Sequence, residues 1–555
     1  MDGQFQLNAN VVEIVDRKIT PATVTVENGL IVSINPTGDA LHPTFLMPGF
    51  VDSHVHVESS MLVPSEFAKA AVCHGTVATV SDPHEIGNVL GVEGVEFMLD
   101  NAATVPFKFC FGAPACVPAT TFETSGATIS ADQVERLLAD DRIGYLSEVM
   151  DFPGVLRRDP EIMRKINSAI ANGKIADGHA PGLRGQDAAD YFAAGISTDH
   201  ECFTKAEALD KIAAGCHIAI REGSAARNFE ALYTLIDEYP DQVMLCSDDK
   251  HPDELVLGHL DQLVRRAVGL GLDRFNVLKA ACINPVALYG LNVGQLQVGD
   301  PADFIEIDNL ESFSVLRTFI DGVVVAENGS SSIKTTPAKA INKFVGSARI
   351  AEELAIKCPS DSAPESVQLN VIQALDGQLI TKSIKATPRI VDGFIESDPT
   401  RDILKIAVVN RYADAEPAVA FVQGFGLTEG AMASSVAHDS HNVIAVGADD
   451  DSLIRAINLV IENRGGLATV GDSEEQVLPL PVAGLMSILP ADEVAAIYTR
   501  LDQQVKKMGS ALRAPFMTLS FMALLVIPDI KLSDQGLFDG TKFEFTNLID
   551  TNSTH

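Results

Sequence analysis

Two histidines one residue apart, His54 and His56, begin the set of residues in this chain that could perform chemistry. The apolar run over 44–51 precedes them and predicts a buried strand. Side chains two positions apart on a strand share one face, so both imidazoles can bind one metal ion. By itself the pair favours ordinary packing beside a turn cap, because short motifs recur by chance. The residues that follow decide between the two interpretations.

Seven more apolar strand candidates follow, with helix-like segments between them. They cover residues 75–80, 107–111, 143–147, 174–177, 195–198, 217–220 and 243–246. Eight β/α repeats over roughly 250 residues match the size of a TIM-type (β/α)8 barrel. We therefore predict an α/β fold whose central unit is a metallo-hydrolase barrel at 44–294.

Nearly every strand candidate ends in a polar cluster, and active sites of such barrels lie at the carboxyl ends of the strands. The clusters contain His54 and His56; Asp82 and His84; Glu148; His179; Asp199, His200 and Glu201; Arg221 and Glu222; Asp248 and Asp249. Six of these are predicted metal ligands, namely His54, His56, Glu148, His179, His200 and Asp248. Three or four ligands make one site. Six, including a carboxylate able to bridge, indicate two metals that share a water or hydroxide.

The barrel segment is flanked by strand-like sequences that carry the turn signals Asn28-Gly29 and Asp321-Gly322. We predict that residues 1–43 and 295–345 form one small β-sandwich domain around the inserted barrel. Beyond it the pattern changes to strand candidates at 404–410 and 418–422 and a helical pattern at 451–463. Residues 346–555 are therefore predicted to form a separate C-terminal α+β domain.

The chain has 555 residues and a formal net charge of -34, which argues against nucleic acid or an anionic membrane surface as partner. The apolar run at 521–527 is too short to span a bilayer, and no secretory signal is visible. The eight cysteines form no Cys-x-x-Cys pair and indicate reduced thiols in a cytoplasmic protein. The expected partners are a small-molecule substrate and further copies of the chain, as a homodimer or higher homo-oligomer.

The motifs resemble a known family. The string PGFVDSHVH at 48–56 is similar to the amidohydrolase superfamily, whose barrel carries His-x-His on its first strand. Nearly the whole chain resembles the bacterial adenine deaminases within that superfamily. The strings that carry this likeness are HVHVESSM at 54–61, SDPHEI at 81–86, DGHAPGL at 177–183, TDHEC at 198–202, REGSAAR at 221–227, CSDDKHP at 246–252, VAHDSHN at 436–442, LPVAGL at 480–485 and PFMTLS at 515–520.

The resemblance implies hydrolytic deamination of adenine to hypoxanthine and ammonia, with a hydroxide shared by two divalent metal ions attacking C6. Manganese or iron are the expected ions, and zinc also fits the donor set. Related cyclic amidohydrolases bridge their metals with a carboxylated lysine from strand four, whereas this strand end carries Glu148 and no lysine. Two alternatives stay open. One is a cyclic amidohydrolase or a deaminase of another heterocycle, and the other is a barrel that holds metal without catalysis.

Asp248 is expected to be both a ligand and the general base, and Asp249 stays the competing candidate because adjacent acids look alike in a pattern. Deamination also needs an acid near ring N1. The candidates for that acid are Glu222, Glu85, Glu201 and His84. The candidate substrate contacts are Glu58, Ser59, Ser60, Asp82, Arg221 and Ser224.

Two further histidines, His438 and His441, lie in the string VAHDSHN of the C-terminal domain. They are open to three interpretations: metal ligands, side chains that reach over the barrel mouth, or members of a polar turn held by local hydrogen bonds. Aromatic residues are only 6% and tryptophan is absent. The substrate base is therefore expected to lie between aliphatic side chains or against a single phenylalanine.

Overall fold

The computed structural model describes residues 4–38, 40–359, 367–472 and 474–550. The two segments that flank the barrel form one continuous eight-stranded sheet. Its strands, in spatial order, are Ser330–Ser331, Val323–Glu327, Val315–Ile320, Phe304–Ile307, Phe45–Pro48, Gln4–Glu13, Lys18–Glu27 and Leu30–Pro36. The Asn28-Gly29 turn is confirmed, since both residues have positive φ and join paired strands. This is the backbone that a tight hairpin with a matching twist requires.

Eight parallel strands form the barrel, which confirms the predicted fold class. They are Phe50–Val55, Thr76–Ser81, Lys108–Ala113, Ile143–Val149, Ala176–Gly178, Thr198–Asp199, His217–Arg221 and Val243–Cys246. We number them barrel strands 1 to 8 in this order. Neighbouring strands pair in parallel. Parallel bridges from Ala176 to Ile196 and from Val55 to Asp248 close the ring.

The prediction of one buried strand over 44–51 is wrong, because Gly49 divides that run between two sheets. Phe45–Pro48 belongs to the flanking sheet, while Phe50–Val55 begins the barrel. A β-carbon at Gly49 would lie 2.3 Å from Cγ1 of Val77, so only glycine fits where the chain passes between the sheets. Both halves are apolar because both are buried, and hydrophobicity alone does not show the change of sheet.

Helices surround the barrel and cover its apolar strands. They are Pro64–Val72, His84–Leu90, Val92–Ala102, Ala131–Leu138, Phe152–Leu156, Pro160–Ala171, Gly185–Phe192, Lys205–Ala213, Phe229–Leu232, Leu235–Glu238, Pro252–Leu255, Leu260–Gly269, Arg274–Leu278 and Asn284–Tyr289. Some of their first turns carry a side-chain cap; the carboxylate of Asp159, the residue before Pro160, accepts from the Glu161 amide. Within the described ranges, no helix is long and apolar enough to cross a membrane.

The C-terminal domain is built on a nine-stranded sheet. Its strands are Lys382–Ala386, Gln368–Gln373, Ala418–Gln423, Leu404–Val409, Val443–Gly447, Ala431–Ser434, Gly466–Val470, Glu475–Pro479 and Ile549–Asp550. Two three-stranded sheets accompany it, formed by Ile356–Lys357, Phe394–Glu396 and Arg389–Val391, and by Ile530–Ser533, Gly536–Asp539 and Glu544–Phe545. The helices are Asp450–Glu462, Ala491–Lys507 and Pro515–Ser520. The loop between Ala431–Ser434 and Val443–Gly447 reaches the mouth of the barrel.

Candidate active site

The structure brings the six predicted ligands together at the carboxyl ends of the barrel strands. His54 lies on strand 1 and His56 directly follows it, Glu148 lies on strand 4, His179 and His200 directly follow strands 5 and 6, and Asp248 follows strand 8. Each is buried, with at most 7% of its surface exposed. Because all eight strands run in parallel, their last residues meet at one rim even when they lie far apart in the sequence.

One half of the cluster surrounds the Nε2 atom of His56. This atom lies 3.3 Å from Nε2 of His54, 3.4 Å from Oε1 of Glu148 and 3.4 Å from Oδ1 of Asp248. Oδ1 of Asp248 is also 3.7 Å from Nε2 of His54. Two imidazole nitrogens and two carboxylate oxygens therefore point at one small volume, as ligands around a divalent cation do.

The other half of the cluster surrounds the second oxygen of Glu148. Oε2 of Glu148 lies 2.7 Å from Nδ1 of His179 and 3.2 Å from Nε2 of His200. The Glu148 carboxylate thus stands between the two halves, with one oxygen facing each. Burial would raise the pKa of Glu148, but the neighbouring His179 and His200 hold it well below its usual range. A buried, ionised carboxylate among four imidazoles fits a bridge between two metal ions.

Asp248, and not Asp249, faces the imidazoles. The Asp248 amide donates to the carbonyl of His54 at 3.0 Å, so the end of strand 8 is fixed beside strand 1. Asp248 adopts a φ of 52°, a left-handed conformation that aspartate tolerates better than most residues. Oδ1 of Asp249 instead accepts from the Ser59 hydroxyl at 2.5 Å. The side chains of these adjacent acids therefore point in different directions, and the two residues have different roles.

Arg221 anchors the side of Asp248 away from the histidines. Its Nη1 donates to Oδ2 of Asp248 at 2.8 Å, and its guanidinium forms a two-pronged pair with Glu201. Arg221 is completely enclosed, with 1% exposed. Burial would raise the pKa of Asp248, but this guanidinium and the nearby imidazoles hold it well below its usual range. Arg221 thus keeps Asp248 ionised, and it also lines the cavity beside the ligand cluster.

A further group of polar side chains follows strand 2. Nδ1 of His84 lies 3.0 Å from Asp82 and 3.3 Å from Oε1 of Glu148. Nε2 of His84 is 3.4 Å from Oε1 of Glu85. Burial lowers the pKa of His84, but Asp82 and Glu85 raise it well above its usual value. His84 therefore connects the ligand cluster to Glu85.

Glu85 joins the barrel to the C-terminal domain at the site. Its Oε1 lies 2.6 Å from Nδ1 of His438, and its Oε2 pairs with Nε2 of His441. Burial would raise the pKa of Glu85, yet the histidines that surround it hold it well below its usual range. The structure thus places His438 and His441 over the barrel mouth, where with Glu85 they form a group that could also hold a metal ion.

Two predicted site residues lie outside the cluster. Glu222 points away from the barrel axis, and its Oε1 accepts from Arg266 on helix Leu260–Gly269 at 2.7 Å. The Ser224 hydroxyl donates to Glu254 at 2.9 Å. Arg221 ends strand 7 and already faces inward, so the next residue, Glu222, faces outward by alternation. The assignments of Glu222 as catalytic acid and Ser224 as substrate contact are therefore wrong.

Four other candidates support the site from behind. The Ser59 hydroxyl is held by Asp249, and the Ser60 hydroxyl donates to the Val57 carbonyl at 2.6 Å. Glu58 accepts from the Ile86 amide at 3.2 Å, and burial raises its pKa to about 7. Asp82 accepts from the His84 amide at 3.0 Å. None of the four lines the cavity beside the metal-ligand cluster.

That cavity has a volume of about 30 Å³, enough for one or two water molecules. The C-terminal domain covers it with the side chains Leu379, His438, Asp439, Phe521 and Leu524. Phe521 is the only phenylalanine in this lining within the part of the chain that the structure describes. This arrangement fits the expectation of aliphatic side chains and one phenylalanine around a substrate base.

Sequence reasoning missed Asp177 and Asp439. Oδ1 and Oδ2 of Asp177 accept from the Tyr289 hydroxyl at 2.8 Å, and Oδ2 lies 3.9 Å from Nδ1 of His54. Such a partner fixes the orientation of a ligating imidazole. Asp177 lies two positions before His179, and that spacing could have revealed a residue on the same face. Asp439 lies 3.9 Å from Nε2 of His84, and only the long-range docking of its domain brings it there.

Comparison with known proteins agrees with this site. The amidohydrolase family profile matches residues 45–325, and the profile of the adenine deaminase C-terminal domain matches residues 378–544. A curated adenine deaminase of Salinibacter ruber is 54% identical over 549 residues and covers 99% of each chain. One of Methanosarcina mazei is 52% identical over 546 residues and covers 97% of this chain and 98% of its own.

The fold and the ligand cluster thus define a metal-dependent barrel hydrolase of the amidohydrolase type. With both domains matched and half of all positions identical to curated members over the whole length, the chain belongs to the adenine deaminase family.

Proposed function

We propose that this enzyme hydrolyses adenine to hypoxanthine and ammonia with two divalent metal ions at the barrel mouth. The observation that carries the proposal is the Glu148 carboxylate, whose two oxygens face two separate groups of ligands. His54, His56 and Asp248 would hold one ion, His179 and His200 the other, and Glu148 both. The family likeness favours manganese or iron as the ions, and zinc also fits this imidazole and carboxylate set.

The donor atoms of the cluster are arranged to bind metal ions rather than to form hydrogen bonds with one another. Nε2 of His54 and Nε2 of His56 face each other at 3.3 Å inside a buried site. Nδ1 of His179 and Nε2 of His200 likewise converge on one oxygen of Glu148, at 2.7 Å and 3.2 Å. Divalent ions bound here would supply a hydrolytic nucleophile at neutral pH by acidifying water. The remaining steps belong to side chains of this chain.

Asp248 is the proposed general base. Arg221 occupies Oδ2 of Asp248, which leaves Oδ1 directed at the ligand cluster and the cavity. Held ionised in this way, Asp248 can accept the proton of the attacking water and pass it to the departing amine. The same carboxylate therefore binds metal and transfers the proton.

His84 and Glu85 are the proposed proton-transfer groups for ring N1. Both line the cavity opposite Asp248, and they contact each other at 3.4 Å. Glu201 also lines the cavity, but its carboxylate is occupied by the two-pronged pair with Arg221. A proton held by His84 would stabilise the negative charge that develops on the ring in the transition state.

Substrate binding requires the cover of the cavity to move. The space beside the ligand cluster has room for one or two water molecules, and a purine is much larger. The movable part of the wall is the C-terminal cover, because the barrel side is fixed by the strands. We propose that Phe521, Leu524 and Leu379 separate from the barrel rim to admit the base and then enclose it.

Two further expectations stay predictions. We propose that the enzyme acts in the cytoplasm, which its eight free cysteines support. We also propose that it forms a homodimer or a higher homo-oligomer. Sedimentation of the purified chain measures the second directly.

The test of the reaction is turnover of metal-loaded protein with a panel of substrates. Adenine should lose its ultraviolet absorbance and release one ammonia for each hypoxanthine formed. Cytosine, guanine, hydantoin and dihydroorotate should react at least about a hundredfold more slowly, because a site built for one set of hydrogen bonds rejects others. Preferred turnover of a cyclic amide, or none of adenine at full metal content, would overturn the proposal.

A further inference from the structure

His438 is the buried group that the proposed reaction leaves unexplained. It comes from the C-terminal domain, yet only 3% of it is exposed and it lines the cavity beside the metal-ligand cluster. Its Nδ1 lies 2.6 Å from Oε1 of Glu85. Its Nε2 is buried and has no hydrogen-bond partner. A buried polar atom without a partner costs free energy, so it is retained where a ligand supplies the partner.

The ring of His438 is fixed in place on all its other sides. It stacks on Phe521, with ring centroids 4.9 Å apart and planes inclined by 24°. The His438 amide donates to the Ser520 carbonyl at 3.2 Å. Together with Glu85, these contacts leave only Nε2 available to a molecule in the cavity. A ring held in this way is a preorganised contact and loses little conformational freedom on binding.

His441 provides an internal comparison. Its Nε2 also pairs with Glu85, but its Nδ1 accepts from the Ala437 amide at 3.3 Å. Both nitrogens of His441 are therefore satisfied within the protein, and the residue does not line the cavity. The two histidines share one carboxylate, and only His438 has a free nitrogen. This difference separates a supporting histidine from one that contacts a ligand.

We propose that Nε2 of His438 donates a hydrogen bond to an acceptor nitrogen of the bound purine ring. This inference rests on the proposed function for the identity of the base. Glu85 accepts from Nδ1 of His438, and Oδ1 of Asp439 lies 3.9 Å from the same atom. Two acids beside one imidazole favour its doubly protonated form, in which Nε2 is a donor. His438 would then determine which face and edge of the base the barrel receives.

The proposal gives the C-terminal domain a direct part in substrate recognition. The barrel supplies the ligands and the base Asp248, and the C-terminal domain supplies the donor and the stacking ring. Phe521 and His438 contact each other, so closure of the cover delivers both to the substrate at once.

Two substitutions at His438 test the contributions of its two ring nitrogens separately. Asparagine places an amide near Nδ1, keeps the bond to Glu85 and removes Nε2. Glutamine extends to the position of Nε2 and restores a donor there. His441→Gln is the matched control, because it keeps a donor to Glu85 outside the cavity. Metal content and thermal melting of each variant show whether the fold is intact, and His438→Ala replaces the asparagine variant if that protein does not fold.

The readout is recognition of single ring nitrogens. Inhibition constants of 3-deazaadenine and 7-deazaadenine are measured against adenine turnover for each variant. In the native enzyme, the analogue that lacks the contacted nitrogen should bind roughly 10- to 100-fold more weakly than the other. In His438→Asn this gap should disappear, while kcat/KM for adenine falls by a similar factor. In His438→Gln and His441→Gln the gap should persist.

A gap that is unchanged in His438→Asn, or absent from the native enzyme, would overturn the proposal. Failure of the proposed function gives a different result, namely a native enzyme that does not turn over adenine at full metal content. In that case the dissociation constants of adenine and both analogues, measured by calorimetry, replace the inhibition constants. If adenine and both analogues then had the same dissociation constant, in native protein and in His438→Asn alike, the proposed contact would be refuted as well.

Discussion

Replacement of Asp248 by asparagine tests the assignment of the general base. Asparagine has nearly the same shape, so it can still accept from Arg221, but it cannot take a proton from water. His54, His56 and Glu148 remain to hold the ion that Asp248 would contact, and His179 and His200 still hold the other. Loss of a general base typically lowers a rate by 10² to 10⁴. We therefore expect kcat to fall by roughly that factor, which is about 2.7 to 5.4 kcal/mol of barrier.

Asp249→Asn is the matched control, one residue along the same loop. Its carboxylate accepts from the Ser59 hydroxyl, whereas Oδ1 of Asp248 lies 3.7 Å and 3.4 Å from Nε2 of His54 and of His56. An asparagine oxygen can accept the same bond, so kcat should fall less than about tenfold. Both variants are assayed by loss of adenine absorbance, with the metal content of each sample measured in parallel.

Two results would refute the reasoning. Either Asp248→Asn keeps more than about a tenth of the native kcat with full metal content, or Asp249→Asn proves the more damaging change. The first would mean that another group takes the proton. The second would mean that the register of strand 8 at the site is reversed.

Four further predictions concern the ligands, the cover and the periphery. Glu148→Ala should lose most of its bound metal, as measured by elemental analysis, because the residue faces both halves of the cluster. Phe521→Ala should raise KM for adenine by roughly 5- to 150-fold, the usual worth of base stacking, with metal content unchanged. Glu222→Gln should keep kcat within about threefold, since its partner Arg266 lies outside the site. Although burial lowers the pKa of His179, Glu201 and Glu148 raise it to about 9, so metal binding must displace a proton. Metal affinity measured by calorimetry should therefore rise with pH and level off above about 9.

The metal cluster could be predicted from the sequence because its geometry is local to each strand end. His54, His56, Glu148 and His179 each follow an apolar run, and a parallel barrel brings the ends of such runs to one rim. Alternation then fixes which side chains face inward. Glu222 was predicted to be a site residue because this rule was not applied to it. Arg221 faces inward, so the next residue faces outward.

The cover over the site could not be predicted in this way. His438 and Glu85 are separated by several hundred residues and belong to different domains, so no periodicity links them. Their contact depends on how two complete domains dock. The division at Gly49 shows a similar limit, because Phe45 and Phe50 are both apolar and only the space beside Val77 places them in different sheets.

The most direct test of the account is reconstitution of metal-free protein with manganese, followed by adenine turnover and bound metal in the same samples. Two converging groups of ligands joined by Glu148 predict that activity rises until two ions are bound per chain and then stays constant. Full activity with one ion per chain, or activity independent of metal, would contradict the account.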